Sequence, residues 1–405
     1  MGRETQEEFD MIPDAVDFEM RGGSHPDPEM NTVEKQVAEQ AFNRVISDPS
    51  WSELDFKTAY NFTHLNTFYG TRNPDLIKLL YRLQPYPVYL EAEVTSKCSL
   101  RCIMCEHTYW NEPPSPDWSV EKLKSVIDQF PDLKWAALNP IADQFMNPEF
   151  FNIMKTLDER HVCQELYMTS TTLEEADMKK IADLKSMMMV KFSHDAATPE
   201  TYHRIRVNGN WEKVIRNIKA LDRFKRQSGR HFPTIEFHFI IMKQNIHEAE
   251  MFIDWVDSLG ITCSGIMYSR LLHQFPEVNN TYVDIPPDLG DKLVKRGQGL
   301  GIPVYFNADA NAQKPPANQC TQWTMPFIFV DGTVISCCCQ NEANRRGWQR
   351  ENSMGNIFQK PFREIWNDAP YRRLRQNLWE KKIGDASPVC KECAINDVTC
   401  GGVCK

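Results

Sequence analysis

Short β-prone segments alternate with helical segments over residues 88–307, and this alternation constrains the fold more than any other feature of the sequence. Strands that alternate with helices in this way predict a parallel sheet with right-handed crossovers. Five or six such units form either an open doubly wound sheet or an incomplete barrel. The predicted strands cover residues 88–95, 134–139, 164–169, 188–194, 234–241, 264–269 and 302–307.

Polar residues on two of these strands favour the barrel. Along 88–95 apolar residues share one face, and Glu91 and Glu93 share the other, where they can point inward. Glu236 and His238 alternate with apolar residues in the same way on the fifth strand. We therefore expect a lumen that holds a polar ligand, with these four residues as candidate catalytic residues. The alternative is a sheet edge whose polar face lies in water.

The pattern changes on either side of this region. Residues 1–86 are predicted to form an acidic, partly flexible helical extension. Residues 308–405 contain a predicted hairpin that turns at Asp331 and Gly332, followed by an irregular Cys-rich tail. The predicted fold is therefore α/β: a partial (β/α)6 TIM-like barrel over 87–307, with the helical extension before it and a small Cys-rich module, held together by metal, after it.

The composition narrows the function classes. The 405 residues carry a formal net charge of −9, which argues against binding nucleic acid or an anionic membrane. No run of about 18 apolar residues predicts a membrane span, and the acidic start has no apolar signal core, so we expect a cytoplasmic protein. Thirteen cysteines in a reducing compartment indicate metal or redox chemistry rather than disulfides. Cys163 and Cys263 stand alone and are expected to be buried spectators.

Three cysteines, Cys98, Cys102 and Cys105, directly follow the first predicted strand. In α/β barrels the chemistry lies at the C-terminal ends of the strands, so these thiols would stand over the mouth of the lumen. The C-x3-C-x2-C spacing suits three corners of an iron–sulfur cube, which leaves the fourth iron open. The alternative is a structural zinc site with His107 as a fourth ligand.

The segment "CSLRCIMC" resembles the signature of the radical S-adenosylmethionine (radical SAM) enzymes, and the resemblance covers about residues 86–300. It implies a [4Fe–4S] cluster whose open iron binds SAM. An electron delivered by a partner such as flavodoxin or ferredoxin then cleaves the sulfonium C–S bond. The resulting 5′-deoxyadenosyl radical abstracts a hydrogen atom from the substrate.

The same resemblance implies residues that bind SAM. Asp143 stands where the family has the Glu of Gly-Gly-Glu-Pro, so it either accepts the SAM amino group or only starts a helix. Thr169 lies where the family contacts the ribose, and Met104 can cover the adenine.

A second group of cofactor positions lies in "KFSHDAATPETYHRIRV", which resembles the fourth-strand segment of the family. Ser193 and Arg206 match its contacts to the SAM ribose and carboxylate, and Asp195 matches a residue that orients the strand end. The alternative for Arg206 is a surface cation that caps a loop.

The C-terminal cysteines resemble those of the SPASM module, which binds auxiliary iron–sulfur clusters in radical SAM enzymes. The sequence departs from that pattern in one spacing, and the last Cys of the family has no counterpart. Either two auxiliary clusters or a single cluster is compatible with the spacing, and a zinc ribbon on the last four cysteines is the alternative. The roles of Cys338 and Cys339 stay open. The predicted ligands are Cys320, Cys337, Cys390, Cys393, Cys400 and Cys404.

The predicted function is hydrogen abstraction from a small polar substrate of sugar or nucleotide type, which gives dehydrogenation or epimerisation. The substrate preference rests on the extension at 1–86, which looks helical rather than like a leader-binding winged helix. One alternative is a maturase that modifies a peptide or protein. An alternative from another class is a zinc-binding scaffold without catalytic activity.

Overall fold

The computed structural model describes most of the chain between Tyr86 and Lys382 and several residues beyond. The predicted helices of residues 31–84 lie outside the described part, apart from Tyr81, which is helical. The domain boundaries at 86/87 and 307/308 therefore stay predictions. The described residues are 81, 86–109, 114–131, 133–230, 232–271, 275–306, 320, 322–338, 340, 346–387 and 390.

The described strands form one ten-stranded sheet in the order β10-β9-β8-β1-β2-β3-β4-β5-β6-β7. From β1 to β7 each strand pairs in parallel with the next one in the chain, as expected for a partial barrel of successive strand–helix units. The strands are β1 (Tyr89–Ala92), β2 (Trp135–Ala137), β3 (Cys163–Met168), β4 (Met187–Ser193), β5 (Thr234–Ile241), β6 (Gly265–Arg270), β7 (Val304–Phe306), β8 (Phe327–Ile328), β9 (Thr333–Ile335) and β10 (Gly355–Asn356).

Helices connect these strands and cover the outer face of the sheet. In the described ranges none of them is long and apolar enough to cross a bilayer; the cytoplasmic location stays a prediction. The α-helices are α1 (Glu106–Tyr109), α2 (Val120–Ile127), α3 (Phe150–Glu159), α4 (Glu175–Asp183), α5 (Pro199–Ile205), α6 (Trp211–Gln227), α7 (Ala249–Ser258), α8 (Leu289–Leu300), α9 (Arg346–Glu351), α10 (Phe362–Asn367), α11 (Ala369–Trp379) and α12 (Ile383–Ala386).

The strict alternation along β5 decides which side chains face the helices. Phe237 and Phe239 are fully buried, and their rings contact Phe252 of α7 with centroid distances of 5.9 and 5.0 Å. Because successive strand residues point to opposite faces, Glu236 and His238 of the same strand turn to the other side of the sheet. The apolar face thus builds the core, and the polar face lines a lumen.

The C-terminal hairpin does not form a sheet of its own. β8 runs parallel to β1, with Glu91 opposite Phe327, and β9 pairs antiparallel with β8. The turn between them lies at Gly332, as predicted, with a φ of +87°. A side chain there would be strained and would meet the Phe358 ring at 2.3 Å, so the turn requires glycine.

The helical region predicted near 361–380 is two helices rather than one. Asp368 ends α10 and its side chain caps Ala369, the first residue of α11. A proline in the first turn of α11 fits this boundary, because proline has no backbone N–H to donate within a continuous helix.

Candidate functional site

The three cysteines after β1 lie on a loop that is joined by backbone hydrogen bonds to the end of α5. The N–H of Arg101 donates to the carbonyl of Val207 at 2.9 Å, and the N–H of Ile103 donates to the carbonyl of Ile205 at 3.1 Å. All three cysteines line one cavity of about 960 Å³ inside the partial barrel. The structure thus brings Cys98, Cys102 and Cys105 together at the C-terminal end of the sheet, where the sequence predicts them.

Burial keeps these thiols protonated unless a cation binds. It raises the pKa of Cys98 to about 11 and also raises the pKa values of Cys102 and Cys105. Because the thiolate is the form that ligates metal, the bound metal supplies the charge that ionises such thiols. One guanidinium nitrogen of Arg206 lies 3.8 Å from the sulfur of Cys102 and adds positive potential.

His107 does not complete a fourth corner of this site. Its Nε2 atom lies 2.9 Å from the carbonyl oxygen of Ser96, and its side chain is not among those that line the cavity. In the ranges that the structure describes, no three ligating side chains are arranged to hold a single metal ion. Three thiols without a fourth protein ligand are the donor set of a four-iron cluster with an open iron.

Arg206, which lines the cavity, forms a buried ion pair with Asp195. Asp195 lies just after β4 with a φ of +63°, and its other carboxylate oxygen accepts the N–H of Ile240 at 2.8 Å. Burial raises the pKa of Asp195, and Arg206 opposes that rise. The pair therefore fixes the guanidinium against the strand ends, with its Nε buried and without a partner among the described residues.

The other predicted SAM contacts also line this cavity, namely Met104, Asp143, Thr169 and Ser193. The Oγ1 of Thr169 is buried and has no hydrogen-bond partner in the described part of the chain. Asp143 starts the 3-10 helix Gln144–Met146: one of its carboxylate oxygens accepts the N–H of Phe145 and the other accepts the hydroxyl of Thr172 at 3.0 Å. Each carboxylate oxygen has a second lone pair for a ligand.

Of the four candidate catalytic residues, Glu91, Glu236 and His238 line the cavity. Burial lowers the pKa of His238 to about 3, so its imidazole is neutral, and its Nε2 shares a 2.6 Å hydrogen bond with Ser269. Glu93 does not line the cavity. It lies beyond the end of β1, where it is buried and bonded by Arg346 of α9.

A polar layer in the lumen includes residues that the sequence analysis missed. Lys191 of β4 lies 3.1 Å from a carboxylate oxygen of Glu236 and donates to the hydroxyl of Tyr167 at 3.2 Å. Burial alone lowers the pKa of Lys191, but Tyr167 and Glu236 outweigh it and raise the pKa. On the neighbouring strand β3, Glu165 accepts a 2.9 Å hydrogen bond from Tyr89. The alternation of Glu165 and Tyr167 along β3 is the signal that would have found this layer.

The described cysteines of the C-terminal module lie in three environments. Cys320 and Cys390 lie near Tyr81, whose pKa is raised by burial and by these two thiols, and Cys337 acts in the same way on Tyr371. Cys338 lines the lumen cavity. Cys339, Cys393, Cys400 and Cys404 lie outside the described residues.

Of the two isolated cysteines, which were expected to be buried, one is buried and the other only partly so. Cys163 is fully buried. Cys263 is partly buried, and its sulfur lies 3.5 Å from the carbonyl oxygen of Gly265.

The chain was compared with known proteins. A family model for SPASM, an iron–sulfur cluster-binding domain, matches residues 320–394. The chain is 25% identical over 332 residues to the tungsten-containing aldehyde ferredoxin oxidoreductase cofactor-modifying protein of Pyrococcus furiosus, which covers 76% of this chain and 88% of that protein. It is 21% identical over 315 residues to the AdoMet-dependent heme synthase of Methanosarcina barkeri. That match covers 71% of this chain and 85% of the heme synthase.

The fold is similar to that of SuiB from Streptococcus suis. SuiB bound to S-adenosylmethionine gives a TM-score of 0.59 at 11% identity, over 85% of this chain and 80% of that one. SuiB bound to the precursor peptide SuiA gives a TM-score of 0.57 at 12% identity, over 89% and 83%.

Fold and site together define an iron–sulfur enzyme whose cysteine loop and lumen share one cavity in a partial barrel. Within the described part of the chain, the Oγ1 of Thr169 and the Nε of Arg206 have no hydrogen-bond partner, so both atoms can bond a polar cofactor in that cavity. The SPASM match, the relatives and the fold similarity support a radical SAM enzyme with a C-terminal SPASM module. Its cofactors are SAM and [4Fe–4S] clusters, which confirms the prediction; whether there are one or two auxiliary clusters stays open. A zinc-binding scaffold is not supported.

Proposed function

We propose that this enzyme abstracts a hydrogen atom from a small polar substrate whose polar group binds the layer of Tyr167, Lys191 and Glu236, giving dehydrogenation or epimerisation. When bound, the cluster and SAM supply the 5′-deoxyadenosyl radical. The residues of the chain bind and orient the two molecules and exclude water.

The observation that carries the proposal is the ion pair between the buried Lys191 and the partly buried Glu236 in the wall of the cofactor cavity. A buried pair is a weak source of stability, because the cost of desolvating two charges offsets their attraction. Charges of this kind in a cleft support a binding role. Tyr167 and Glu236 hold the ammonium of Lys191 in place, so it can donate a hydrogen bond to an oxygen of a substrate hydroxyl, carboxylate or phosphate without reorganising.

The size of the cavity limits the substrate. About 960 Å³ lies at the upper end of small-molecule pockets, which hold roughly 300–1,000 Å³. SAM takes part of this volume. The rest accommodates either a small molecule or a single side chain of a larger one.

A peptide maturase is the second candidate. It is supported by the similarity of the fold to SuiB bound to the precursor peptide SuiA. In that case a single side chain of the peptide would enter the lumen and meet the same polar layer.

The test compares the small-molecule and peptide fractions of a cell extract as activators. Reconstituted enzyme receives SAM, dithionite and one fraction, and 5′-deoxyadenosine is measured. We expect the small-molecule fraction to stimulate its formation. Activation by the peptide fraction alone would favour the maturase, and no 5′-deoxyadenosine with either fraction would overturn both.

Paired variants test the polar layer itself. Lys191→Met/Glu236→Gln removes both charges without leaving one of them buried alone. A hydrogen bond to a charged group contributes about 1.5–3 kcal/mol. The stimulation of 5′-deoxyadenosine formation by the small-molecule fraction should therefore fall about 10- to 100-fold. SAM cleavage without substrate should persist. Lys185→Met, at an exposed position before β4, is the control.

A further inference from the structure

We propose that Arg375 and Tyr371 raise the reduction potential of an auxiliary iron–sulfur cluster, to which they present a positive charge and hydrogen-bond donors. Both residues lie on α11, and they act on the cluster rather than on the substrate. The proposal rests on the SPASM match and on Cys337 as a predicted cluster ligand. It is independent of the substrate proposed above.

The guanidinium of Arg375 is buried and only partly bonded. The residue is 3% exposed, and its Nη2 donates to the backbone carbonyl of Trp366 at 2.9 Å. In the part of the chain that the structure describes, its Nε and Nη1 are buried without a hydrogen-bond partner, and no carboxylate forms an ion pair with it. Because a charged residue is almost never fully buried unless it is paired, these two nitrogens indicate an anionic partner of another kind.

The hydroxyl of Tyr371 is a third donor beside this guanidinium. Tyr371 is fully buried, and its hydroxyl also has no partner among the described residues. Residues four apart lie on the same face of a helix, and the guanidinium carbon of Arg375 lies 5.7 Å from the centre of the Tyr371 ring. The Trp366 ring packs against both, with its centre 4.8 Å from the guanidinium carbon and 4.8 Å from the Tyr371 ring centre. The three donors therefore belong to one buried aromatic cluster.

Predicted cluster ligands border the same aromatic cluster on two sides. Burial raises the pKa of Tyr371, and the nearby thiol of Cys337 raises it further. On the other side the hydroxyl of Tyr81 donates to the carbonyl of Cys320 at 2.6 Å, and the Tyr81 ring packs on Trp323 with a centroid distance of 5.3 Å. The centre of the Trp323 ring lies 5.6 Å from the same guanidinium carbon. The buried cation is therefore placed among residues that contact the predicted ligands.

An iron–sulfur cluster is the anionic partner that fits these donors. Net charge, hydrogen bonds to the sulfurs and solvent exposure set the reduction potential of such clusters. The reduced cluster carries one more negative charge than the oxidised cluster, so a guanidinium beside it stabilises the reduced form more. Arg375 and Tyr371 therefore raise the potential of the cluster that Cys337 is predicted to ligate.

The test is a redox titration of the full-length protein, followed by EPR spectroscopy. The substitutions Cys98→Ala/Cys102→Ala/Cys105→Ala remove the SAM-binding cluster from every sample, and the signal that is scored is the one that Cys337→Ala removes. In Arg375→Gln we expect the ratio of reduced to oxidised cluster at a fixed potential to fall about tenfold, which is about 59 mV for one electron.

Two further variants separate charge from packing. Arg375→Lys keeps the positive charge and should recover most of the ratio. Tyr371→Phe removes a single oxygen atom and should lower the ratio about threefold, so it decides the question if Arg375→Gln does not fold. Arg373→Gln removes a charge from an exposed position of the same helix and should leave the ratio unchanged.

Several outcomes would overturn the proposal. One is an unchanged ratio in folded Arg375→Gln or in Tyr371→Phe, since a loss of stability without a change in potential would mean that the residues only support the fold. Another is a control, Arg373→Gln, that changes as much as Arg375→Gln. A third is a Cys337→Ala sample that keeps every auxiliary signal.

Discussion

Cys337 and Cys338 are adjacent in sequence but lie in different surroundings. Cys337 lies near the buried Tyr371, and Cys320 and Cys390 lie near Tyr81. Cys338 lines the cavity that also holds the cysteine loop. The structure thus gives Cys338, whose role the spacing leaves open, different surroundings from those of Cys337, a predicted ligand.

This separation predicts different effects on iron content. Cys337→Ala should lose the iron of one auxiliary cluster, because a thiolate ligand is removed from the Tyr371 side. Cys338→Ala should keep it. Iron and sulfide analysis of anaerobically purified protein measures the difference, and Cys163→Ala, a buried thiol far from the module in sequence, is the control. Equal iron loss in the variants of Cys337 and Cys338 would contradict the prediction.

At this scale the sequence was most informative where a spacing motif exists. Cys98, Cys102 and Cys105 are predictable because these three predicted ligands follow one another on a single loop with a recognisable spacing. Lys191 is not predictable in this way, since it follows four apolar residues in "MMMVK" and its partner Glu236 belongs to another strand. A charged residue is buried only when it has such a partner, and the local sequence pattern around Lys191 does not show that Glu236 is its partner.

The connection between β4 and α5 is held by one carboxylate from the next unit. Glu248, just before α7, accepts the N–H of Ala197 at 2.7 Å and the hydroxyls of Thr198 and Thr201 at 2.6 and 2.5 Å. Burial opposes ionisation, but these bonds outweigh it and lower the pKa of Glu248. Because α5 ends next to Arg206, the carboxylate also supports the cavity wall.

Glu248→Gln should destabilise the fold by about 1–3 kcal/mol near neutral pH, since the amide cannot accept all of these bonds. A carboxyl group whose pKa is lower in the folded state stabilises fully above its unfolded pKa of about 4.3, and this contribution is lost as pH falls through the folded pKa. The difference in free energy of unfolding between wild type and variant, measured in urea, should therefore become smaller at acidic pH. Glu250→Gln, at an exposed position of α7, should have no effect; a gap that stays constant with pH would contradict the prediction.

Among the elements, strands were easier to predict than helices. β5 matches its predicted bounds, Thr234–Ile241, because its alternation is strict. Helices such as α8 were not predicted. Its sequence contains three glycines, and Gly297 packs so closely that a Cβ would lie 2.5 Å from the carbonyl oxygen of Ile302. The low helix propensity of glycine disfavours a helix in this segment, and the helix forms because tertiary packing outweighs that propensity.

A buried ion pair joins the barrel to the C-terminal module. Glu93 follows β1 and is 1% exposed, and it pairs with Arg346, the first residue of α9. Burial raises the pKa of Glu93, and the guanidinium opposes that rise. Arg346 also lies over the ring of Phe329 at 3.7 Å. The pair therefore connects residues 253 positions apart in the chain.

Arg346→Met should lower the free energy of unfolding by about 3–5 kcal/mol, because it leaves the Glu93 carboxylate buried without its cation. Arg346→Met/Glu93→Gln should recover a large part of the loss, as a double-mutant cycle in denaturant would show. Arg350→Met is the matched control on α9. Its pair with Asp331 is more exposed and contributes at most about 1 kcal/mol. Equal losses in the two single variants would contradict the prediction.

The sequence predicted the module but not where it attaches. The hairpin turn at Gly332 is a local signal and was found. The pairing of β8 with β1 joins segments more than 230 residues apart, and no periodicity within either strand encodes that choice of neighbour.

That pairing also sets the order in which the molecule can be completed during synthesis. β1 leaves the ribosome first among the described strands, yet the strand that covers its open edge is β8, which is translated only after β7. Until then the edge of β1 offers unpaired backbone groups to any other strand, which is a route to aggregation. A nascent chain of this protein therefore carries an unfinished sheet for most of its translation, and we expect chaperones to bind it there.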